Sequence, residues 1–175
     1  MRKCMLLFIC IVISFFLVGC LLSNSPNEPP EITITIKDEK IDYVFAKNQW
    51  NRSEYDREST FVTILKELPE SDIPYFENGS IVEIVFESNP PNEFYVSDIL
   101  IDETGRPIYT DKEIKNIPVK LTNGKCQFEI EYHFAYALSS YYAPDKKSIR
   151  GFRMIASWGE NECEYAFVVK TGSTL

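Results

Sequence analysis

The sequence predicts a mainly β domain, an immunoglobulin-like antiparallel β-sandwich with one short helix at about residues 59–68. Three observations lead there. Ile32-Thr33-Ile34-Thr35-Ile36 and the stretch from Cys126 to Phe134 alternate apolar and polar residues, the period of a strand with one buried face. Further short apolar runs recur, separated by clusters of Gly, Pro, Asn and Asp, as the strands of a sandwich are. Only one segment has a helical period, so the alternating rhythm of a parallel α/β sheet is missing.

The elements follow in order. Residues 32–36 are β-branched at every position, which suits a pleated surface. Lys37-Asp38-Glu39-Lys40 turns the chain, and 41–46 returns as a strand. Asn48 to Glu58 is too polar for a core strand and is expected as a loop. Phe61, Ile64, Leu65 and Leu68 then fall at i, i+3, i+4 and i+7, one stripe of a helix with Ser59 or Thr60 as cap and Pro69 as stop. A strand over 81–86 ends before Pro90-Pro91, which have no N–H to give a ladder. Another over 94–101 closes at Asp102-Glu103-Thr104-Gly105, and short strands follow at 108–110 and 117–121. Asn123-Gly124 predicts a tight hairpin, because both central residues of such a turn take positive φ. In the next strand Cys126, Phe128, Ile130, Tyr132 and Phe134 point inward, and Gln127, Glu129, Glu131 and His133 outward. A helical turn is expected around 135–142. Strands at 149–158 and 163–170, joined by Gly159-Glu160-Asn161-Glu162, complete the domain. No internal repeat is visible.

The N-terminus reads as an address. Met1-Arg2-Lys3 is basic, and from Cys4 to Val18 every residue but Ser14 is apolar, the layout of a secretory signal peptide. Leu17-Val18-Gly19-Cys20 closes it and resembles the lipobox of bacterial lipoproteins. The resemblance implies that residues 1–19 are removed as a signal peptide and that Cys20 becomes the first mature residue. Its thiol would carry a diacylglyceryl group, with N-acylation as a further step. A plain signal anchor over Cys4 to Leu22 has nearly the length of a membrane span, and it too leaves the remainder outside the cytoplasm. The expected location is therefore the cell membrane, with a lipid-anchored domain on the extracytoplasmic side. The two chains of a diacylglyceryl group anchor stably where one does not. Residues 20–31 would be the lipidated cysteine and a flexible tether. Leu21 to Glu31, LLSNSPNEPPE, is rich in proline and polar residues and reaches about 34 Å as a polyproline-like linker. The sandwich domain is expected over 32–175.

Charge narrows the function classes. The chain has 18 Lys+Arg against 26 Asp+Glu, a net charge of -8. Without Arg2 and Lys3 the basic count falls to 16 and the excess of acid grows. Nucleic acid, which attracts clustered basic side chains, is not an expected partner. An acidic body on a lipid anchor is repelled by anionic lipid. The single histidine, His133, leaves no multi-His metal centre and makes a His-based triad unpromising. No cofactor motif is present.

Candidate site residues are few. Cys126 and Cys163 are in phase with the inward faces of their strands; a disulfide between them and a pair of buried free thiols both fit. His133 and Glu131 share an outward face, which reads as a solvated sheet surface rather than an acid/base pair. Asp98, Asp102 and Glu103, or Glu160, Glu162 and Glu164, supply oxygens for a calcium ion, but the spacing matches no calcium loop; no metal is expected. Ser139-Ser140 lacks the setting of a nucleophile, and Asn78-Gly79-Ser80 reads as a turn. Trp50 and Tyr55 in a polar stretch, and Tyr141-Tyr142 beside Pro144, are candidates for an aromatic binding surface. Arg150 and Arg153 lie on a core-like strand and call for carboxylate partners. The tail from Arg150 through Trp158-Gly159 to Cys163-Glu164-Tyr165 resembles that of small lipoproteins of Gram-positive bacteria, a resemblance that implies no activity.

Two functional expectations follow. The first is a non-catalytic binding or structural module at the cell surface, with membrane lipid as partner through Cys20 and a surface protein or cell-wall component as the second. The alternative is a small extracytoplasmic carbohydrate-active enzyme or ligand-binding protein. An enzyme of that kind requires two carboxylates about 5–10 Å apart in a cleft, at least one with a displaced pKa.

Overall fold

The computed structural model describes residues 25–138 and 146–172. The segment expected as a signal peptide, Cys20, Leu21–Asn24, Tyr141 and Tyr142 lie outside the described residues. Among the described residues ten strands occur in the order β1 (Ile32–Ile36), β2 (Glu39–Lys40), β3 (Val44–Trp50), β4 (Ser53–Glu54), β5 (Ile81–Phe86), β6 (Glu93–Ile101), β7 (Lys115–Ile117), β8 (Lys125–Glu129), β9 (Lys147–Trp158) and β10 (Asn161–Gly172). The helix α1 (Thr60–Glu67) sits between β4 and β5.

The strands form two antiparallel sheets, one in the order β2-β1-β5-β8 and the other β4-β3-β10-β9-β6-β7. Their inner faces share one core: Ile34, Val82, Ile84 and Cys126 from the first, and Phe152, Met154, Cys163, Tyr165 and Phe167 from the second. Aromatic rings lock the layers together, with Phe86 edge-on to Tyr165 at 5.9 Å and Phe128 against Phe152 at 5.6 Å. The mainly β expectation holds, as does the expected helix, the one α-helix among the described residues.

α1 covers the outer face of the larger sheet, packing Phe61 and Ile64 on Ile99, Ile149, Ala166 and Val168. The sheet has made room for it. A Cβ on Gly151 would lie 2.6 Å from the Phe61 ring, so the ring rests on bare backbone there. Ser59 precedes the helix without capping it through its side chain. Thr60, buried, instead donates from its hydroxyl to Glu164 at 2.5 Å, tying the helix start to β10.

Turns follow local chemistry. Lys37-Asp38 and Asn51-Arg52 both have positive φ and join β1 to β2 and β3 to β4 as two-residue hairpins. Asn123-Gly124 has the same signature, as its sequence predicts. At Gly105, φ is +81°, and a Cβ would come within 2.6 Å of the Val62 backbone, so only glycine fits beneath α1.

Several expectations need correction. The 108–110 segment is no strand; Ile108 only donates its N–H to the Leu100 carbonyl. β7 runs over 115–117 rather than 117–121, because Pro118 has no N–H to continue the ladder. β8 stops at Glu129, and the alternation beyond it does not describe a strand: Glu131 N–H turns back to the Glu129 carbonyl. His133 is therefore fully buried instead of outward, and Phe134 is 48% exposed instead of inward. The polar stretch from Asn48 does not begin a loop, since β3 continues through Trp50, which is 1% exposed.

The tether expectation also changes. The described part, Ser25–Glu31, is not a free linker: Pro29 and Pro30 are buried, and the segment lies along the domain. β1 begins at Ile32 as expected, but the packed unit begins at least as early as Ser25.

Candidate functional site

Two constellations stand out: the aromatic seat under the N-terminal segment and a buried polar cluster at the opposite end of the sheets.

The seat is built by the ends of β3 and β9, at Trp50 and Trp158, and by Tyr165 within β10. Trp50 and Trp158 meet edge to face at 5.6 Å, and Trp158 also stacks edgewise on Phe86. The segment crosses this surface with a polar contact at nearly every other residue. Ser25 Oγ donates to the Trp158 carbonyl at 2.9 Å, and Trp50 Nε1 donates to the Asn27 carbonyl at 2.9 Å. Glu28 pairs with Lys47, whose ammonium also lies 5.9 Å from the Trp50 ring. Tyr165 Oη donates to the Pro30 carbonyl at 2.6 Å, and Ile32 N–H donates to Tyr43 Oη at 3.0 Å. A proline-rich strand suits such a seat because its fixed φ costs little entropy to immobilise, while its free carbonyls accept from indole and phenol donors. Burial pushes the Tyr165 hydroxyl well above its usual pKa, so it remains a donor.

Trp50 is thus no exposed binding residue; it holds the chain's own N-terminal segment. Tyr55 is exposed at 45%, as expected, but its partner in the expected surface, Trp50, faces the core. The expected contribution of Tyr141 and Tyr142 lies outside the described residues. Of the other exposed apolar side chains, Tyr75 at 44%, Phe134 at 48% and Leu138 at 38% occupy the end of the sheets away from Trp158, whereas Tyr95 at 59%, paired across from Ile155, lies towards it.

The polar cluster centres on Arg150 in β9 and Asp98 in β6, both fully buried. The guanidinium grips the carboxylate with two donors, Nε to Oδ1 at 3.0 Å and Nη2 to Oδ2. Its remaining nitrogen reaches Asn78 and Thr171, and Thr171 in turn meets Tyr136 Oη at 2.8 Å. His133 lies beside the pair. Its Nδ1 accepts from the Ala135 N–H at 3.2 Å, which leaves Nε2 to donate to the Asp98 carbonyl at 3.3 Å. Burial, joined by the Arg150 and Lys115 charges, lowers the His133 pKa below its ordinary 6.5 against the opposing pull of Asp98. The expected partner of Arg150 is thus found, and Asp98 is a buried ion-pair residue rather than a calcium ligand.

Glu131 does not join His133. It stays exposed and pairs with Lys115 at 2.5 Å, which holds its pKa below the usual carboxylate value. A general acid needs the opposite displacement. The cleft beside Glu131, about 140 Å³ and lined also by Asp98, Lys115 and Glu129 but not by His133, is below the size of ordinary ligand pockets. Asp102 binds its own loop, accepting from the Thr104 hydroxyl and the Thr104 and Arg106 N–H groups. Glu164 is engaged by Thr60 and by Arg57 at 3.0 Å, and Glu162 by Asn48 at 2.7 Å. Among the described residues no group of three or more His, Cys, Asp or Glu could hold a metal ion. Cys126 and Cys163 are free and buried, one on each sheet. Burial raises their thiols to about 11 and about 12, far from activation.

No family model, curated protein or solved structure matches this chain. Its reading rests on its own residues.

Sequence reasoning missed the seat. Tyr165 stands 135 residues from Pro30, and only the proline pair just ahead of β1 hinted that Ser25–Glu31 could lie extended against something.

Proposed function

We propose that the chain is an exported lipoprotein, anchored in the cell membrane through a diacylglyceryl Cys20, whose folded part is a non-catalytic binding or structural module at the cell surface. The address comes from Arg2-Lys3, the apolar run and Leu17-Val18-Gly19-Cys20. The folded part is read as immunoglobulin-like from its strand order. β1, β5 and β8 correspond to strands A, B and E of that sandwich, and β6, β7, β9 and β10 to C, C′, F and G. β3, which adds antiparallel to β10, departs from the pattern because the β1–β2 hairpin has reversed the chain.

The separation of His133 from Glu131 carries the non-catalytic reading: one is sealed in the core beside an ion pair, the other is a surface carboxylate neutralised by Lys115. The partner is a surface protein or cell-wall component. Tyr75 and Phe134 offer amphipathic and apolar area for contact, the side-chain types on which recognition surfaces draw.

Fatty-acid labelling and fractionation test the address. The wild-type chain takes up label and follows the membrane, whereas Cys20→Ser does neither. Cross-linking on intact cells tests the role. A captured surface partner supports it, and hydrolysis of a wall glycan by the purified protein would overturn it.

A further inference from the structure

The geometry points to a lipid-facing end and an outward-facing end of this molecule, set by the docked segment. Ser25–Glu31 acts as a strap that shortens the membrane tether and holds the Trp158 end of the sandwich against the bilayer. This rests on the Cys20 anchor proposed above.

Lengths decide it. Were the whole stretch from Cys20 to Ile32 free, its twelve steps would reach about 42 Å. That exceeds the length of the longest strands, since the twelve residues of β9 make eleven steps and span about 37 Å. A domain on such a tether turns either end to the membrane. With the strap seated, the first fixed point is Ser25, held to the Trp158 carbonyl at the β9–β10 turn. Five steps from Cys20 reach about 18 Å at most, about half the span of β9. The end bearing Trp158, Gly159 and Asn89 must then stay near the lipid, and the end bearing Tyr75, Asp102 and Phe134 must point away.

The seat is made for holding. Pro29 and Pro30 are buried, and four side-chain contacts, from Ser25, Trp50, Lys47 and Tyr165, secure the strap along its length. Glu54, Glu87, Glu93 and Glu160 are exposed around the same end and outnumber the exposed Arg52 and Lys125, so anionic headgroups do not favour it lying flat. The strap therefore works as a short stem that stands the module upright and presents its far end.

The test uses the full-length lipidated protein reconstituted in vesicles of phosphatidylcholine with a minor share of phosphatidylglycerol. One fluorophore is attached through Ser88→Cys at the near end, or through Ser71→Cys at the far end; both positions are exposed, and the native thiols are buried. Quenching by lipids spin-labelled at the headgroup should be at least about threefold stronger at position 88 than at position 71. Pro29→Gly/Pro30→Gly, which alters the strap and leaves the core from Ile32 intact, should bring the ratio towards one. Equal quenching at the two positions in a protein that sediments with the vesicles overturns the strap while leaving the anchor in place. Failure to sediment at all overturns both.

Discussion

The Tyr165 hydroxyl donates to the Pro30 carbonyl at 2.6 Å, joining the middle of the last strand to the segment ahead of the first, 135 residues away. Pro30 is buried, so this carbonyl has no water to turn to. Tyr165→Phe leaves it unsatisfied and should cost about 1–3 kcal/mol in urea unfolding. It should also speed proteolytic clipping within 25–31. Unchanged clipping would show that the hydroxyl does not hold the strap.

Asp98 and Arg150 form a fully buried, two-pronged ion pair. Removing one partner strands a charge in the core, so Asp98→Ala should destabilise by about 3–5 kcal/mol. Asp98→Leu combined with Arg150→Met should be clearly milder than the sum of its single changes, because neither charge is then left alone. Additive losses in denaturant titrations would contradict that coupling.

His133 gives a pH dependence of definite sign. Its pKa is lowered in the folded protein and is ordinary in the unfolded chain, so below about pH 6.5 the unfolded state takes up the proton first. The stability from neutral His133 is complete above that pH. It falls as the pH drops towards the folded pKa, by at most about 1.4 kcal/mol per pH unit. Glu131 and Asp102, whose pKa values are lowered, lose their contributions only at more acid pH. Unfolding curves from pH 7 to 5 should show the decline in wild type and a flatter profile in His133→Gln. Parallel profiles would place the titration elsewhere.

Cys126 and Cys163 should resist alkylation at pH 8 in the folded protein, since burial raises their thiols to about 11 and about 12. Both should react fully in denaturant without prior reduction. Mass analysis reading two added labels supports this, and none before reduction would reveal a disulfide.

The regular parts of the fold were legible because their signals are local. Ile32–Ile36, Asn123-Gly124 and the Phe61–Leu68 stripe each carry their period within a few residues, and the structure follows them. Trp50 was misread because its neighbours Asn48 and Gln49 are polar; Asn48 is satisfied by Arg57 and Glu162, partners the sequence does not place nearby. His133 was misread because the alternation from Cys126 runs on in sequence after the strand has ended at Glu129. Arg150 announced the need for a carboxylate, but choosing Asp98 required the β6–β9 pairing that sets them on adjoining strands. The strap was the least legible element, since its seat is assembled from three strands, β3, β9 and β10.

Mass spectrometry of the N-terminal peptide from the mature, membrane-extracted protein tests the central claim most directly. The account predicts a peptide that begins at Cys20 and carries a diacylglyceryl group on its sulfur. An unmodified Cys20 still joined to Gly19 would contradict it.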